Sequence, residues 1–426
     1  SSRFPFQVGA DRPPIVGHMG GEVGGDGACS TLPPVILAMI QEDETALDKD
    51  ADKFLPVLRK SAATEIWHKH GHFYSHLHDV WQMLCAWGQP QAICRLGLFH
   101  SAYSNSYVSM NLFNPDTEAG RAELRSLIGT EAEELVWKFC VINRQEMENM
   151  VLTTGSIPAE GKTFRHIRTG EAVPCSAAEI GAFMVETLAD YQDQSFGWQS
   201  DMEAGRPRAI WPGVFRPTLR MSKVSKMAVA TRKHGRLEAT PPIFDRCTRV
   251  LEEADEREAR DLYWRAVCSD DGCEGAGLTP AALSSAVADL LRSSELNPFV
   301  AEPHVVRAQL LMQRGSWAEA ADAARSGLRM LCEWATQWDN RMPFVAWLSW
   351  TRCIMLQASF QEWPETHGGM ESLGAVHPSQ RFRSLNTSRE AVGGKRQREE
   401  EDPADDGAEK PSVSGASRPA ELSQGA

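Results

Sequence analysis

The densest group of chemically useful side chains lies in a histidine-rich run, residues 67–79, that reads WHKHGHFYSHLHD. His72 and His76 are four residues apart, and Asp79 follows three residues after His76. On a helix, this spacing places two imidazole nitrogens and a carboxylate on one face, where they can bind one metal ion. The same spacing occurs on solvent-exposed helices, so the run alone leaves a metal site and a polar surface patch as alternatives.

A second histidine follows in the next apolar segment. His100 ends the stretch GLFH, about 24 residues after His76, and the chain continues with Ser-Ala-Tyr. A buried histidine in this position is either a core residue that donates to a backbone carbonyl or a partner of His76 across a pair of helices. The second alternative predicts that the two imidazoles lie within a few ångströms of each other.

The elements that position these residues have a helical period. From Phe73 to Trp87, apolar residues recur at steps of three and four, and Pro90 then suits the first turn of a following helix. Ser176 and Glu179 form a capping box before a third amphipathic segment. Alternating strand patterns are nearly absent, so the sequence predicts an all-α fold.

His76 on one helix and the motif Gly-Leu-Phe-His100 at the end of the next resemble the HD superfamily of metal-dependent phosphohydrolases. The chain is more similar still to an uncharacterised group of HD-like domains, whose second motif reads His-Ser and then Tyr, as in His100-Ser101-Ala102-Tyr103. The resemblance covers roughly residues 50–200. Similar plant and algal proteins join this domain to a tetratricopeptide-like tail.

The resemblance implies an HD-like helical bundle that holds a divalent metal ion of unidentified type. Its ligands would be His76, His100 and a later aspartate, for which Asp190 is the best candidate and Asp193 the next. His72 is a further candidate metal ligand.

The sequence departs from the active HD enzymes at Ser101, where those enzymes have an aspartate that can bridge two metal ions. A neutral hydroxyl is a poor ligand for a divalent cation, so His72 or Asp79 would have to replace it. In a working enzyme Asp79 and Tyr103 are the candidate catalytic residues, because each could assist proton transfer.

The segment Ala301–Leu331 resembles a tetratricopeptide repeat. Small residues stand where two helices would touch, at Ala308, Ala320 and Gly327, and Gly315 lies in the turn between the helices. One repeat cannot bury its own apolar face, so neighbouring helices must stack on it. Such an array either binds a peptide in its groove or braces the preceding domain.

Composition limits the class of protein. The chain has 426 residues and a formal net charge of −13, which disfavours binding of nucleic acid through bulk charge. A basic stretch, residues 205–242, is better explained as a connector than as an RNA site.

No apolar run approaches the ~18 residues of a membrane-spanning helix. The ten cysteines include no CxxC pair and are expected to be reduced and mostly buried.

We therefore expect five regions and a cytoplasmic protein, or a nuclear one if the basic run KRQR at 395–398 is an import signal. Organelle targeting cannot be read from a sequence that starts with Ser. The regions are a disordered tail (1–33), an HD-like helical domain (34–204), a basic connector (205–245), a tetratricopeptide-like helical domain (246–362) and a second disordered tail (363–426).

The sequence supports two alternative functions. The first is a metal-dependent phosphohydrolase, active or degenerate, that acts on a small phosphate ester. The second is a non-catalytic helical scaffold that binds a peptide or protein partner through its tetratricopeptide-like region. The sequence leaves open whether the chain is an enzyme.

Overall fold

The structure is a computed structural model that describes residues 32–68, 71–110, 112–194, 216–267 and 279–361. These residues form fifteen α-helices and two short β-hairpins, which confirms the predicted all-α class. None of the described helices has the length and apolar character needed to cross a membrane. All of the predicted C-terminal tail and residues 1–31 of the predicted N-terminal tail lie outside the described residues, whereas Leu32, which the N-terminal tail included, is buried in the core.

The N-terminal helices are α1 (Pro34–Gln41), α2 (Glu44–Leu47), α3 (Ala51–Arg59), α4 (Phe73–Ala86), α5 (Gln91–Phe99), α6 (Glu118–Ile128), α7 (Thr130–Val141), α8 (Arg144–Thr154) and α9 (Ala177–Asp193). After them come α10 (Met221–His234), α11 (Glu253–Val267), α12 (Pro280–Leu296), α13 (Glu302–Gln313), α14 (Trp317–Trp334) and α15 (Phe344–Phe360). Two 3₁₀ turns lie at Ala62–Thr64 and Pro242–Asp245.

Two antiparallel hairpins interrupt the helices. Strands β1 (Trp67–His68) and β2 (Gly71–His72) pair directly before α4, while β3 (Lys162–Arg165) and β4 (Ala172–Cys175) pair before α9. Strands of two to four residues are too short for an alternating pattern to be recognised in the sequence. The first hairpin places Trp67, His68, Gly71 and His72 of the histidine-rich run in strands rather than in a helix.

Helix α9 lies at the centre of the N-terminal bundle, where it packs against α4, α5 and α10. Its start is set by the predicted capping box, in which Ser176 accepts from the backbone of Glu179 and the Glu179 carboxylate accepts from the backbone of Ser176. Nearly all of its side chains are buried, including the acidic residues Asp190 and Asp193. A central helix of this kind delivers carboxylates into the core, where they need partners.

Residues 205–215 of the predicted basic connector lie outside the described residues. The described part contains helix α10, with Pro217 and Pro241 on either side of it. Basic residues of this stretch make contacts within the chain: Arg220 donates to Gln192, and Lys223 donates to Glu148. Arg232, Lys233 and Arg236 are exposed, so the connector interpretation remains a prediction.

The C-terminal helices α11 to α15 pack in succession, each against the next. Ala308, Ala320 and Gly327 are buried between α13 and α14, where the repeat-like pattern predicts close contact. A Cβ at Gly327 would lie 2.6 Å from Val305 Cγ2, so the two helices approach too closely there for a larger side chain. The helical hairpin is therefore present, and its relation to tetratricopeptide repeats remains a prediction.

Three tryptophans join the two helical regions into one compact unit. Trp87 donates from Nε1 to the carbonyl oxygen of Trp334 at 3.1 Å, and Trp334 donates to that of Phe299 at 2.6 Å. Trp338 donates to the carbonyl oxygen of Thr218 at 3.3 Å. This shared core places the C-terminal helices against the N-terminal bundle, and the choice between a brace and a peptide-binding groove remains a prediction. The predicted boundaries between the regions remain predictions.

The closest backbone approach to α9 yields a stability prediction. A Cβ at Gly181 would lie within 3 Å of three backbone atoms of Gly235, which follows α10, and backbone cannot move aside as a side-chain tip can. We expect Gly181→Ala to lower the free energy of unfolding by about 1–3 kcal/mol, measured by urea denaturation. Gly71→Ala is the control, since nothing lies within 4 Å of a Cβ there. Equal stability of the two variants would contradict this packing.

Candidate metal centre

The two histidines singled out by the sequence meet inside the bundle. His76 on α4 and His100 at the C-terminus of α5 are each only 2% exposed, and their ring centroids are 5.2 Å apart. The adjacent packing of α4 and α5 brings them together, and Gly97 allows close approach because a Cβ there would clash with Leu84. The predicted proximity of the two imidazoles is confirmed.

The protonation of the His76 ring follows from its neighbours. Its Nδ1 is 2.6 Å from Oδ2 of Asp193, a carboxylate that can only accept, so Nδ1 carries a proton and donates it. Its Nε2 is 3.3 Å from Oδ1 of Asp190. Asp193 therefore orients the ring and directs Nε2 toward Asp190, as a carboxylate behind a metal-binding histidine does.

His100 is held in the same tautomer by the backbone. Its Nδ1 is 2.7 Å from the carbonyl oxygen of Gly97, so Nδ1 donates and Nε2 keeps its lone pair. Burial lowers the pKa of His100 to about 3, with the positive charges of His76 and Arg144 also opposing protonation. The ring is therefore neutral, which is the form that binds metals.

Asp190 completes the group. His76, His100 and Asp190 are all buried, and each offers a ligand atom within 4.8 Å of the others. Oδ2 of Asp190 accepts from Nη2 of Arg144 at 2.6 Å, while Oδ1 faces His76. Burial would raise the pKa of Asp190, but the Arg144 charge and the His76 hydrogen bond outweigh it, so the carboxylate is ionised.

The cluster attracts positive charge. Burial alone would lower the pKa of His76, but hydrogen bonds to Asp190 and Asp193 and the charges of both carboxylates raise it to about 10. Glu186 lies 3.3 Å from Nδ1 of His100, and burial keeps the pKa of Glu186 well above its usual range. Two ionised carboxylates thus face one permanent cation, Arg144, and this imbalance favours one more positive charge at the Nε2 side of His76.

The other predicted site residues lie elsewhere or contribute differently. His72 is exposed at the end of β2 and does not join the buried group. Asp79 is partly buried one turn after His76 on α4, where burial and the charge of Asp193 raise the pKa of Asp79 to about 8. Tyr103 is buried, and its hydroxyl donates to Glu133 at 2.9 Å.

Ser101 is also accounted for. It is fully buried, and its hydroxyl oxygen accepts from Asn105 Nδ2 at 2.9 Å. Ser101 does not belong to the buried group of His76, His100 and Asp190, so this group can be assembled without an aspartate at position 101.

Sequence reasoning missed three residues that the structure places at the cluster. Arg144 starts α8 and stacks over the Phe139 ring at 4.4 Å, a placement for which the sequence has no signal. Gln194 lies one turn after Asp190, at the end of α9, and this i,i+4 spacing was a usable signal. His68 stands in the histidine-rich run, with its ring centroid 5.0 Å from that of His76.

Comparison with known proteins assigns part of this region to a family. Residues 57–144 match the family described as "Domain of unknown function (DUF6817)", which includes His76 and His100 but ends before Asp190. No curated protein and no solved structure matches the chain. This segment therefore carries a domain of an uncharacterised family, and the similarity to HD enzymes and to plant and algal proteins remains an expectation.

The pairing of Arg144 with the buried carboxylates predicts a large loss of stability when it is removed. Arg144→Met leaves Asp190 without its cation in a buried site, and we expect unfolding free energy to fall by about 3–5 kcal/mol. Arg292→Met is the matched control, because Arg292 and Glu295 form an exposed pair whose loss costs less than about 1 kcal/mol. Urea denaturation compares the two variants, and similar small losses would show that Arg144 does not balance the cluster.

Proposed function

We propose that the chain is a metal-dependent phosphohydrolase whose ion is held by His76, His100 and Asp190. The supporting observation is the hydrogen bonding of the imidazoles. Each commits Nδ1 to an acceptor, Asp193 for His76 and the Gly97 carbonyl for His100, so the Nε2 atoms are left for an ion, which would displace the proton from His76 Nε2 on binding. Two imidazole nitrogens and a carboxylate are the donor set of many catalytic zinc and non-haem iron sites.

The donor spacing is suited to a divalent ion. His76 Nε2 and Asp190 Oδ1 are 3.3 Å apart. Two ligands that each lie about 2.1 Å from a shared ion are separated by roughly 3.0–3.4 Å in octahedral and tetrahedral sites. The pair could therefore bind one ion without moving apart.

Charge supports a phosphate ester as the substrate class. Asp190 and Asp193 contribute two negative charges and Arg144 contributes one positive charge, so a divalent ion would leave the cluster with one net positive charge while Asp79 is protonated. An anionic ester would balance that charge.

The ion and the residues around it would have different roles in the reaction. When bound, the ion would acidify a water molecule and polarise a phosphoryl oxygen. Asp193 holds the His76 ring in its ligating orientation, and Arg144 holds the Asp190 carboxylate. Asp79, with a pKa near 8, can take up and release a proton at neutral pH, which suits a general base.

The non-catalytic scaffold is the second candidate, and Arg144 is the observation that favours it. Its guanidinium already pairs with Asp190, and a proton on His76 would balance the remaining charge without any metal ion. The bundle would then keep its fold without a metal ion, and the C-terminal helices would bind the protein partners. The two candidates differ in whether the purified protein contains metal.

Metal content tests the proposed function first. We expect the parent protein, after loading with Mn²⁺, Fe²⁺ or Zn²⁺, to retain close to one ion per chain by elemental mass spectrometry. His76→Ala and His100→Ala should each lose it, because each removes a ligand, while circular dichroism shows unchanged helicity. His304→Ala is the control, since His304 lies on α13 outside the cluster. No metal in the parent under any loading condition would favour the scaffold.

Hydrolysis of bis(4-nitrophenyl) phosphate tests the role of Asp79. We expect Asp79→Asn to retain metal and to lower the rate by about 10²-fold or more, because the proton acceptor is lost. The parent rate should rise with pH as Asp79 deprotonates, and this ascending limb should disappear in Asp79→Asn. Tyr103→Phe should retain the parent rate, because the Tyr103 hydroxyl is committed to Glu133. An equal loss of hydrolysis rate in Tyr103→Phe would contradict this assignment and indicate Tyr103 as the residue that assists proton transfer.

A further inference from the structure

The side chain of Gln194 contacts both His76 Nε2 and Asp190 Oδ1, two of the proposed ligand atoms. Gln194 is the C-cap residue of α9, and its backbone N–H donates to the carbonyl oxygen of Asp190 at 3.0 Å. Its side chain turns back along the helix toward Asp190 and His76. A C-cap residue fixed by the helix in this way has a defined position relative to the last turn.

The contacts of Gln194 are with the proposed ligand atoms themselves. Its Nε2 is 3.2 Å from His76 Nε2 and is also hydrogen-bonded to Asp190 Oδ1. Because His76 Nε2 and Asp190 Oδ1 are 3.3 Å apart, the three atoms form a small triangle. The two sides that meet at His76 Nε2, 3.2 and 3.3 Å long, match the separation of neighbouring ligands around a divalent ion, and the side from Gln194 to Asp190, which is a hydrogen bond here, would lengthen when an ion binds.

The carboxamide of Gln194 can present either its nitrogen or its oxygen to the same position. Rotation about the terminal side-chain bond of Gln interchanges its oxygen and nitrogen, so Oε1 can take the position that Nε2 holds. Amide oxygens are ligands for hard divalent cations, and they bind through a lone pair without needing to lose a proton.

We propose that Gln194 is a fourth metal ligand, with Oε1 replacing Nε2 at the triangle when an ion binds. This inference rests on the proposed metal site and identifies one more of its ligands. Gln194 would thereby supply the oxygen ligand that Ser101 does not, from the helix that already carries Asp190. The resulting set is two imidazole nitrogens, one carboxylate oxygen and one carboxamide oxygen.

Affinity for Mn²⁺ measured by isothermal titration tests this assignment. Gln194→Ala removes the ligand and should weaken Mn²⁺ binding by at least about tenfold. Gln194→Glu supplies a charged oxygen at the same position and should bind Mn²⁺ as tightly as the parent or more tightly. Gln313→Ala is the matched control, because Gln313 is an exposed residue at the end of another helix, α13. Circular dichroism and urea denaturation establish that each variant is folded.

A spectroscopic readout separates ligation from indirect effects. In the Co²⁺-loaded protein, loss of a ligand changes the energy and intensity of the visible absorption bands, so Gln194→Ala should alter the spectrum and Gln313→Ala should not.

The outcomes are distinct. If Gln194→Ala binds Mn²⁺ as well as the parent, while His76→Ala and His100→Ala lose it, the metal site stands and Gln194 is not a ligand. Tighter binding by Gln194→Ala would also overturn the assignment, because the amide would then obstruct the site. A parent protein that binds no Mn²⁺, Fe²⁺ or Zn²⁺ would overturn the proposed function and this inference with it.

Discussion

Two carboxylates on the central helix, Asp190 and Asp193, impose the constraint on which the N-terminal bundle depends. Buried negative charges are costly unless cations and hydrogen bonds surround them. Arg144 and His76 supply these partners, with Arg144 on one oxygen of Asp190 and His76 between the two aspartates. Helices α4, α8 and α9 must therefore meet at this point, and the arrangement retains an affinity for positive charge that suits a metal ion.

Contacts elsewhere in the fold position the helices that meet there. Gly181 lets α9 contact the end of α10, and the capping box sets where α9 begins, so its acidic last turn reaches the histidines. On the far side, the hydrogen bond from Trp87 to Trp334 ties the end of α4 to the C-terminal helices. The C-terminal region therefore contacts the end of the helix that carries His76.

Much of the fold was predictable because it depends on local patterns. The period from Phe73 to Trp87, the helix start near Pro90 and the Ser176 capping box each correspond to an observed helix. The proximity of His76 and His100 was one of two alternatives that the sequence left open for His100, and the structure confirms it. The short β-hairpins were missed, because two to four residues carry too little pattern.

The remaining site residues could not be predicted for a physical reason. Arg144 reaches Asp190 from a different helix, and such tertiary pairing leaves no periodic mark in the sequence. Tyr103 looked suited to proton transfer, yet its hydroxyl is directed to Glu133, a partner 30 residues later in the chain. Gln194 was within reach of sequence reasoning, since it lies one turn after Asp190 on the same helix.

The central claim is that one divalent ion binds between His76, His100 and Asp190. Anomalous X-ray diffraction from crystals grown with Mn²⁺ tests it most directly, because the signal locates the ion without reference to activity. The account predicts one strong anomalous peak within coordination distance of Nε2 of both histidines and Oδ1 of Asp190. Crystals in which this position shows no anomalous peak, and in which the His76 ring stays paired with both aspartates, would contradict it.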